Sequence, residues 1–149
     1  MADLTLGEAS LATTTTTTGI RCNIVPDDQR MDFLPRVFGA RHMLAGEAAV
    51  FNWMAQLCPE YKGGFWDFVD LSNGGFYLRL KSDKHFTLRV DGNGFTGTLS
   101  ADAASIVATL FAINGLLFKG AHHLHDAFYA LKDFAVSHPE GHSILWAMD

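Results

Sequence analysis

Acids on predicted strands, with one lysine beside them, are the residues of this chain that could support phosphodiester hydrolysis. Metal-dependent nucleases place such acids so that a metal ion and an activated water meet at the phosphate, with a lysine two residues beyond the second acid. Here the lysine is Lys81, and the position two before it is Arg79 instead of an acid. Asp67 and Asp70 point to opposite faces of one strand, and Asp91 follows another strand. The pattern therefore favours surface carboxylates balanced by arginines over a catalytic site.

A group of histidines could suggest a zinc site, since on a helix His122 and Asp126 would share one face, with His123 and His125 close in sequence. No Cys-x-x-Cys, His-Glu-x-x-His or Gly-x-Ser-x-Gly motif accompanies them, and the segment has the pattern of a loop entering a helix. His138 precedes a proline and takes a cap position. We therefore expect no enzyme, no catalytic residue, no metal and no cofactor. A metal-dependent hydrolase or nuclease that uses these acids and histidines remains an alternative.

Polar side chains alternate with apolar ones along the second and third predicted strands. Tyr77, Arg79, Lys81, Thr87 and Arg89 would share the outward face of a hairpin formed by these strands. Tyrosine and arginine are common at protein–protein hot spots. Three interpretations of this face stay open: it docks a protein partner, it is an ordinary solvated sheet face, or it is the weak DNA-binding surface of an accessory protein.

The charge balance limits what this protein can bind. Lys and Arg total 11 against 16 Asp and Glu, a net charge of −5 at pH 7. Strong nucleic-acid binding needs a cationic face, which this balance disfavours. A globule of this length spans about 38 Å, over which duplex DNA presents ~20 phosphates. A net charge of −5 cannot copy that field, so imitation of DNA is disfavoured as well.

The chain has the composition of a globular protein of the cytoplasm. Hydrophobic residues make up 48% of its 149 residues, which is sufficient for one buried core. The two cysteines are too few for a disulfide framework, so we expect reduced thiols. The longest uncharged run, between Asp102 and Lys119, is shorter than the ~20 residues that cross a bilayer. We therefore expect a cytoplasmic protein with no membrane partner.

The elements that position these residues form an α+β pattern, with a small antiparallel sheet of about three to four strands packed with about four to five helices. Residues 1–19, rich in threonine, are predicted to be a disordered tail, and residues 20–149 a single domain. Pro35 predicts short helical turns between Pro26 and Gly39. Ser100 is predicted to cap a central buried helix. The predicted strands are Phe65–Leu71, Phe76–Lys81, His85–Asp91 and Phe95–Leu99, and the predicted longer helices are Met43–Cys58, Ala101–Phe118, Leu124–Ser137 and Pro139–Met148.

Several sequence blocks occur in a specific order between about residue 24 and the end of the chain. They are Arg30–Arg36 followed by Phe38-Gly39, Met43-Leu44 with Gly46-Glu47, Gly63-Gly64-Phe65-Trp66-Asp67-Phe68, Leu71–Tyr77, Val90-Asp91-Gly92-Asn93-Gly94-Phe95, and Ser100–Ala104 running into Ala108–Ala112. This ordered set resembles the antirestriction protein family of the KlcA/ArdB type, which plasmids and other mobile elements carry.

The resemblance implies a small α+β protein that protects incoming DNA from type I restriction–modification enzymes of the host. Inhibition would come from contact with the restriction complex or with an accessory host factor, and no family catalytic residue is carried over. The matched blocks around Trp66 and Asp91, together with the predicted hairpin face, supply the candidate partner-binding residues. These are Trp66, Asp67, Tyr77, Arg79, Arg89, Asp91 and Asn93.

Overall fold

The computed structural model describes residues 19–149. The threonine-rich tail predicted for residues 1–19 lies outside the described residues, apart from Gly19. The described part has an α+β fold with small antiparallel sheets, as the alternating patterns predict.

Within residues 19–149, five strands form two sheets. The strands are β1 (Cys22–Ile24), β2 (Trp66–Leu71), β3 (Phe76–Leu80), β4 (His85–Val90) and β5 (Phe95–Ser100). The first sheet has the order β1–β2–β3, and β4 and β5 pair as a separate hairpin. Every pairing is antiparallel.

The predicted hairpin between the second and third predicted strands is wrong, because β3 does not pair with β4. The free edge of β3 faces a helix instead. The backbone N–H of Leu80 donates to Ser105 Oγ at 2.9 Å, and that of Leu78 donates to Thr109 Oγ1 at 3.4 Å. Two buried hydroxyls therefore accept hydrogen bonds from the N–H groups at the edge of β3. Since α3 occupies this edge, β4 pairs with β5 instead.

The helices follow the predicted spans closely. They are α1 (Arg30–Phe38), α2 (Met43–Leu57), α3 (Ala101–Phe118), α4 (His125–Ser137) and α5 (Gly141–Met148), with 3-10 turns at Asp27–Gln29 and His122–Leu124. The prediction that Pro35 breaks the first segment is wrong, since Pro35 lies inside α1. Proline has no N–H, so in this helix of 9 residues it removes a single hydrogen bond, the one to the carbonyl of Met31. Met31 lies in the first turn, and its side chain is exposed.

Helix α3 is the centre of the core. It packs against α2, α4 and α5 and against β3, β4 and β5. Ser100 caps it, because its side chain accepts a hydrogen bond from the N–H of Ala103 at 3.1 Å. Among residues 19–149, α3 alone is long and apolar enough to cross a membrane, yet 67% of it is buried inside the protein. That burial is typical of the core helix of a soluble fold.

Candidate functional site

Asp102, in the first turn of α3, is the centre of a polar network. The hydroxyl of Tyr77, from β3, donates to Asp102 Oδ1 at 2.7 Å. His138, at the end of α4, lies with Nε2 at 2.8 Å from Asp102 Oδ2. Three elements that are distant in sequence therefore meet at one carboxylate. The positive end of the α3 dipole further favours its ionised form.

The hydrogen bonds of His138 fix its tautomer. The backbone N–H of Glu140 donates to Nδ1 at 2.9 Å, so Nδ1 is an acceptor, and Nε2 carries the ring proton and donates a hydrogen bond to Asp102. A histidine that acts as a general base needs one ring nitrogen facing a nucleophile or a water. Both ring nitrogens of His138 have partners within the protein, so the Asp–His pair braces α3 against α4.

Arg79 extends the network to a second carboxylate. Its Nη2 lies 3.3 Å from Asp67 Oδ2, and its Nη1 lies 4.0 Å from Asp102 Oδ1. Asp67 and Arg79 face each other in the register between β2 and β3. We call these five residues, Asp67, Tyr77, Arg79, Asp102 and His138, the Asp102 network.

The network shifts the ionisation of its members. Burial is the largest influence on the pKa of Tyr77, and together with the negative charge of Asp102 it raises that pKa well above the ordinary value. Burial alone would raise the pKa of Asp102, but the hydrogen bonds from His138 and Tyr77 and the charge of Arg79 outweigh it. The net effect lowers the pKa of Asp102. Tyr77 therefore stays a neutral donor and Asp102 an ionised acceptor.

Two adjoining clefts open onto the network. The inner cleft, about 320 Å³ in volume, is lined by Tyr77 and His138, and the outer cleft, about 740 Å³, is lined by Asp67 and Lys81. Both clefts share Arg79 and Asp102. Beside the inner cleft, Glu140 accepts hydrogen bonds from the backbone N–H and the hydroxyl of Ser100, which ties α5 to the start of α3.

The structure gathers only some of the predicted contact residues. Asp67, Tyr77 and Arg79 meet in the Asp102 network. The prediction that Tyr77 lies on a solvated face is wrong, because its side chain points into the core and is 1% exposed. Trp66 is also buried, with Nε1 donating to the hydroxyl of Tyr61 at 3.1 Å.

The remaining candidates lie on the second sheet. Arg89 on β4 and Asp91 in the following turn are exposed. Asn93 has an architectural role: its amide donates to the carbonyl of Ala147 at 3.0 Å, and its oxygen accepts from the N–H of Phe95 at 2.9 Å. These contacts fasten the β4–β5 turn to the end of α5. No member of this group contacts the Asp102 network.

Asp102 and His138 are the two residues of the network that the sequence analysis does not predict to contact each other. Each was identified only as part of a helix cap or first turn, and 36 positions separate them. Nothing in the local spacing of either residue indicates the other. The one useful signal is the predicted cap at Ser100, which places Asp102 in the first turn of α3.

Two histidines near the start of α4 contact residues outside the Asp102 network. His123 Nε2 lies 2.8 Å from the carbonyl oxygen of Phe38, and His125 lies beside Asp126. Among residues 19–149 no group of three or more His, Cys, Asp or Glu side chains could hold a metal ion. Burial, with a smaller contribution from a nearby glutamate, raises the pKa of the Cys58 thiol to about 12, so this thiol is protonated at neutral pH.

Comparison with known proteins identifies relatives across most of the chain. The family model of the antirestriction proteins matches residues 59–149. Two Escherichia coli proteins, each named antirestriction protein KlcA, are 45% and 49% identical, over 87% and 84% of this chain and 95% and 90% of their own lengths. A putative antirestriction protein of Escherichia coli K12, YubI, is 36% identical over 84% of this chain and 93% of its own.

A solved structure of this kind has the same fold. It superposes with a TM-score of 0.82 and 44% identity, covering 87% of this chain and 95% of the other. It comes from a study reporting that the KlcA and ArdB proteins have a novel fold and antirestriction activity against type I DNA restriction systems in vivo but not in vitro. Sequence and fold therefore agree, and the chain belongs to the antirestriction protein family.

Proposed function

We propose that this protein reduces cleavage of incoming DNA by type I restriction–modification enzymes of the host, through contact with another protein. The observation that carries the proposal is the likeness, at 44% identity and a TM-score of 0.82, to the solved structure whose study reports activity against type I systems. The proposed setting is the cytoplasm of a cell receiving a plasmid or another mobile element.

The charges of the chain support contact with a protein over imitation of DNA. The net charge is −5, whereas duplex DNA of the same span presents ~20 phosphates. Several carboxylates are also engaged by partners within the protein. Asp67 pairs with Arg79 and Asp70 with Arg36, while Asp102 accepts a hydrogen bond from His138 and lies 4.0 Å from Arg79. Paired acids cannot present the regular negative field of a phosphate backbone.

The partner is the restriction complex or an accessory host factor. The study of the solved relatives reports activity in vivo but not in vitro. That difference is expected when a cellular component absent from the purified reaction takes part. An accessory factor therefore fits the proposal as well as a restriction subunit does.

The proposed action is non-enzymatic binding. Both nitrogens of His138 are engaged within the protein, and the Cys58 thiol is buried. Among the predicted contact residues we retain Arg89 and Asp91, which are exposed, and Arg79, which lines both clefts. Trp66, Asp67 and Tyr77 would support the contact surface from within the fold, and the exposed Asn93 would hold the β4–β5 turn in place.

Phage plating tests this proposal. Unmodified phage would be plated on a type I restricting host, on the same host producing this protein, and on a host with a type II enzyme of overlapping site frequency. We expect the protein to raise plating on the type I host by at least an order of magnitude, with fully modified phage unaffected. Unchanged plating on the type I host would refute the proposal.

A further inference from the structure

A third cleft, separate from the Asp102 network, is rich in hydrogen-bond donors. It has a volume of about 350 Å³ and lies between residues 60–64 and the loop of residues 81–84 that joins β3 to β4. Three lysines line it, Lys62, Lys81 and Lys84. We call it the lysine cleft. It is a concentration of positive charge on a protein whose net charge is −5.

The three lysines have no acidic partner within residues 19–149. Each ion pair of this region joins other residues, such as Arg79 with Asp67. The one glutamate that lines the cleft, Glu60, is already engaged, because its Oε1 accepts the backbone N–H of Thr87 at 2.8 Å. The three exposed lysines therefore outnumber the one glutamate of the lining, and this surplus of positive charge favours the binding of an anionic group.

Neutral donors line the same cleft. The hydroxyl oxygen of Tyr61 accepts the Nε1 proton of Trp66 at 3.1 Å, which leaves the hydroxyl proton of Tyr61 available for a ligand. Gly63 and Gly64 are exposed, and their backbone N–H groups donate to no residue in the described part of the chain. The lining therefore combines three lysines and one glutamate with three uncharged donors.

Two glycines form part of the cleft wall in backbone conformations that favour glycine. Gly63 has φ +96° and Gly64 has φ +148°, conformations that residues with a side chain rarely adopt. A Cβ atom on Gly64 would lie 2.9 Å from Leu80 Cδ1, closer than real Cβ contacts. Glycine at these positions permits this backbone conformation, and both residues are exposed in the lining of the cleft.

We propose that the lysine cleft binds carboxylates of an acidic peptide segment of a partner protein. This inference rests on the proposed function, which needs a protein partner, and it names the chemistry that the partner presents. The volume of about 350 Å³ is near the lower limit of the ~300–1,000 Å³ typical of ligand sites. It admits a few acidic side chains but not a DNA duplex.

A nucleic acid is the less suitable occupant. Three lysines neutralise about three phosphates, fewer than the 6–10 contacts of a typical DNA-binding protein. The net negative charge of the chain would also repel an extended polyanion. A short acidic segment contacts only the cleft and stays away from the negative charges elsewhere on the protein. The repulsion from those charges is screened over ~8 Å at physiological salt.

Fluorescence anisotropy with the full chain tests the inference. The probes are a labelled peptide of alternating Glu and Gly, the matched Gln and Gly peptide, and a labelled DNA duplex. We expect the acidic peptide to bind, with affinity that falls as salt rises, and the Gln peptide not to bind. The triple variant Lys62→Gln, Lys81→Gln, Lys84→Gln should weaken binding by about tenfold or more.

A matched variant controls for net charge. Arg41, Lys119 and Lys132 are exposed and lie outside the lysine cleft. Replacing all three by Gln changes the net charge equally and should leave peptide binding within about twofold of wild type. Equal weakening in both triple variants would overturn the site, as would equal binding of the acidic and Gln peptides or tighter binding of the duplex.

Phage plating then separates this inference from the proposed function. If the wild type binds the peptide but does not alleviate restriction, the proposed function fails while the anion site is supported. If the cleft variant loses the peptide but protects phage as well as the matched variant, the assignment of this cleft to the restriction partner is wrong. Loss of both activities in the cleft variant alone supports the inference.

Discussion

The Asp102 network and the lysine cleft lie on the two sides of the loop of residues 81–84, and Lys81 and Ser82 line a cleft on each side. In the network, charges of both signs meet within one protein: Asp102 accepts hydrogen bonds from two neighbours and lies near Arg79. In the lysine cleft, three lysines outnumber one glutamate and form no ion pair within residues 19–149. The difference separates charge that holds the fold together from charge that remains available to a partner.

That difference matters for interpreting the sequence. Residue type and alternation predict Tyr77 and Arg79 as partner contacts, and the block around Trp66 that matches the family adds Asp67. The structure gives them mutual hydrogen bonds and ion pairs instead. By contrast, Lys62 and Lys84 are surface residues with no distinctive motif, yet they line the donor-rich cleft.

The largest expected effect is on the network side. Asp102→Ala would leave the Tyr77 hydroxyl and the His138 Nε2–H without their acceptor and would remove the acid from the start of α3. We expect a loss of about 3 kcal/mol in the free energy of unfolding, measured by urea denaturation. Asp133→Ala, at an exposed position of α4, should change it by less than about 0.5 kcal/mol. Equal stabilities of the two variants would show that the network does not hold the fold.

A smaller effect is expected when one donor is removed. Tyr77→Phe keeps the buried ring and deletes only the hydroxyl that donates to Asp102. Loss of a hydrogen bond to a charged acceptor should lower the free energy of unfolding by about 1.5 kcal/mol. Tyr129→Phe, at a half-exposed position, is the control. A Tyr77→Phe variant as stable as wild type would contradict the role assigned to this hydroxyl.

Acid should weaken the network selectively. The folded pKa of Asp102 is lower than its ordinary value of 3.8, so the unfolded chain binds this proton at a higher pH than the folded chain does. The stabilisation is fully present above the unfolded value and is lost as pH falls through the folded value. The stability of wild type relative to Asp102→Asn should therefore be constant from about pH 5 to 7 and shrink below about pH 4. A difference that grows on acidification would contradict this assignment.

The smallest effect on stability belongs to the lysine cleft. The variant Lys62→Gln, Lys81→Gln, Lys84→Gln removes no described ion pair and relieves mutual repulsion. Its free energy of unfolding should stay within about 0.5 kcal/mol of wild type in the same denaturation experiment. A loss comparable to that of Asp102→Ala would mean that these lysines serve the fold, and the contrast between the two regions would disappear.

Much of the fold could be predicted from local patterns. The bounds of α3 follow from its Ser100 cap and its uninterrupted apolar run, and the strand bounds follow from alternation and glycine turns. Strand β1 was missed because Cys22–Ile24 is too short for alternation to mark it. The split of the strands into two sheets depends on Ser105 and Thr109, whose hydroxyls could be recognised only as polar interruptions in a helix.

The candidate site could not be predicted in the same way. Tyr77 and Asp102 are 25 positions apart, and Asp102 and His138 are 36 apart, so only tertiary packing joins them. The lysine cleft likewise combines residues from two loops on either side of β2 and β3. Periodicity describes neighbours on one element, and it carries no information about contacts between elements.

Displacement of DNA from a type I restriction enzyme tests most directly whether the protein acts by protein contact or by imitating DNA. A labelled, unmodified duplex bound to the purified enzyme would be titrated with this protein while the anisotropy of the duplex is followed. We expect the duplex to remain bound even at a large molar excess of the protein. Stoichiometric release of the duplex, relieved by adding more DNA, would contradict the proposal of protein contact.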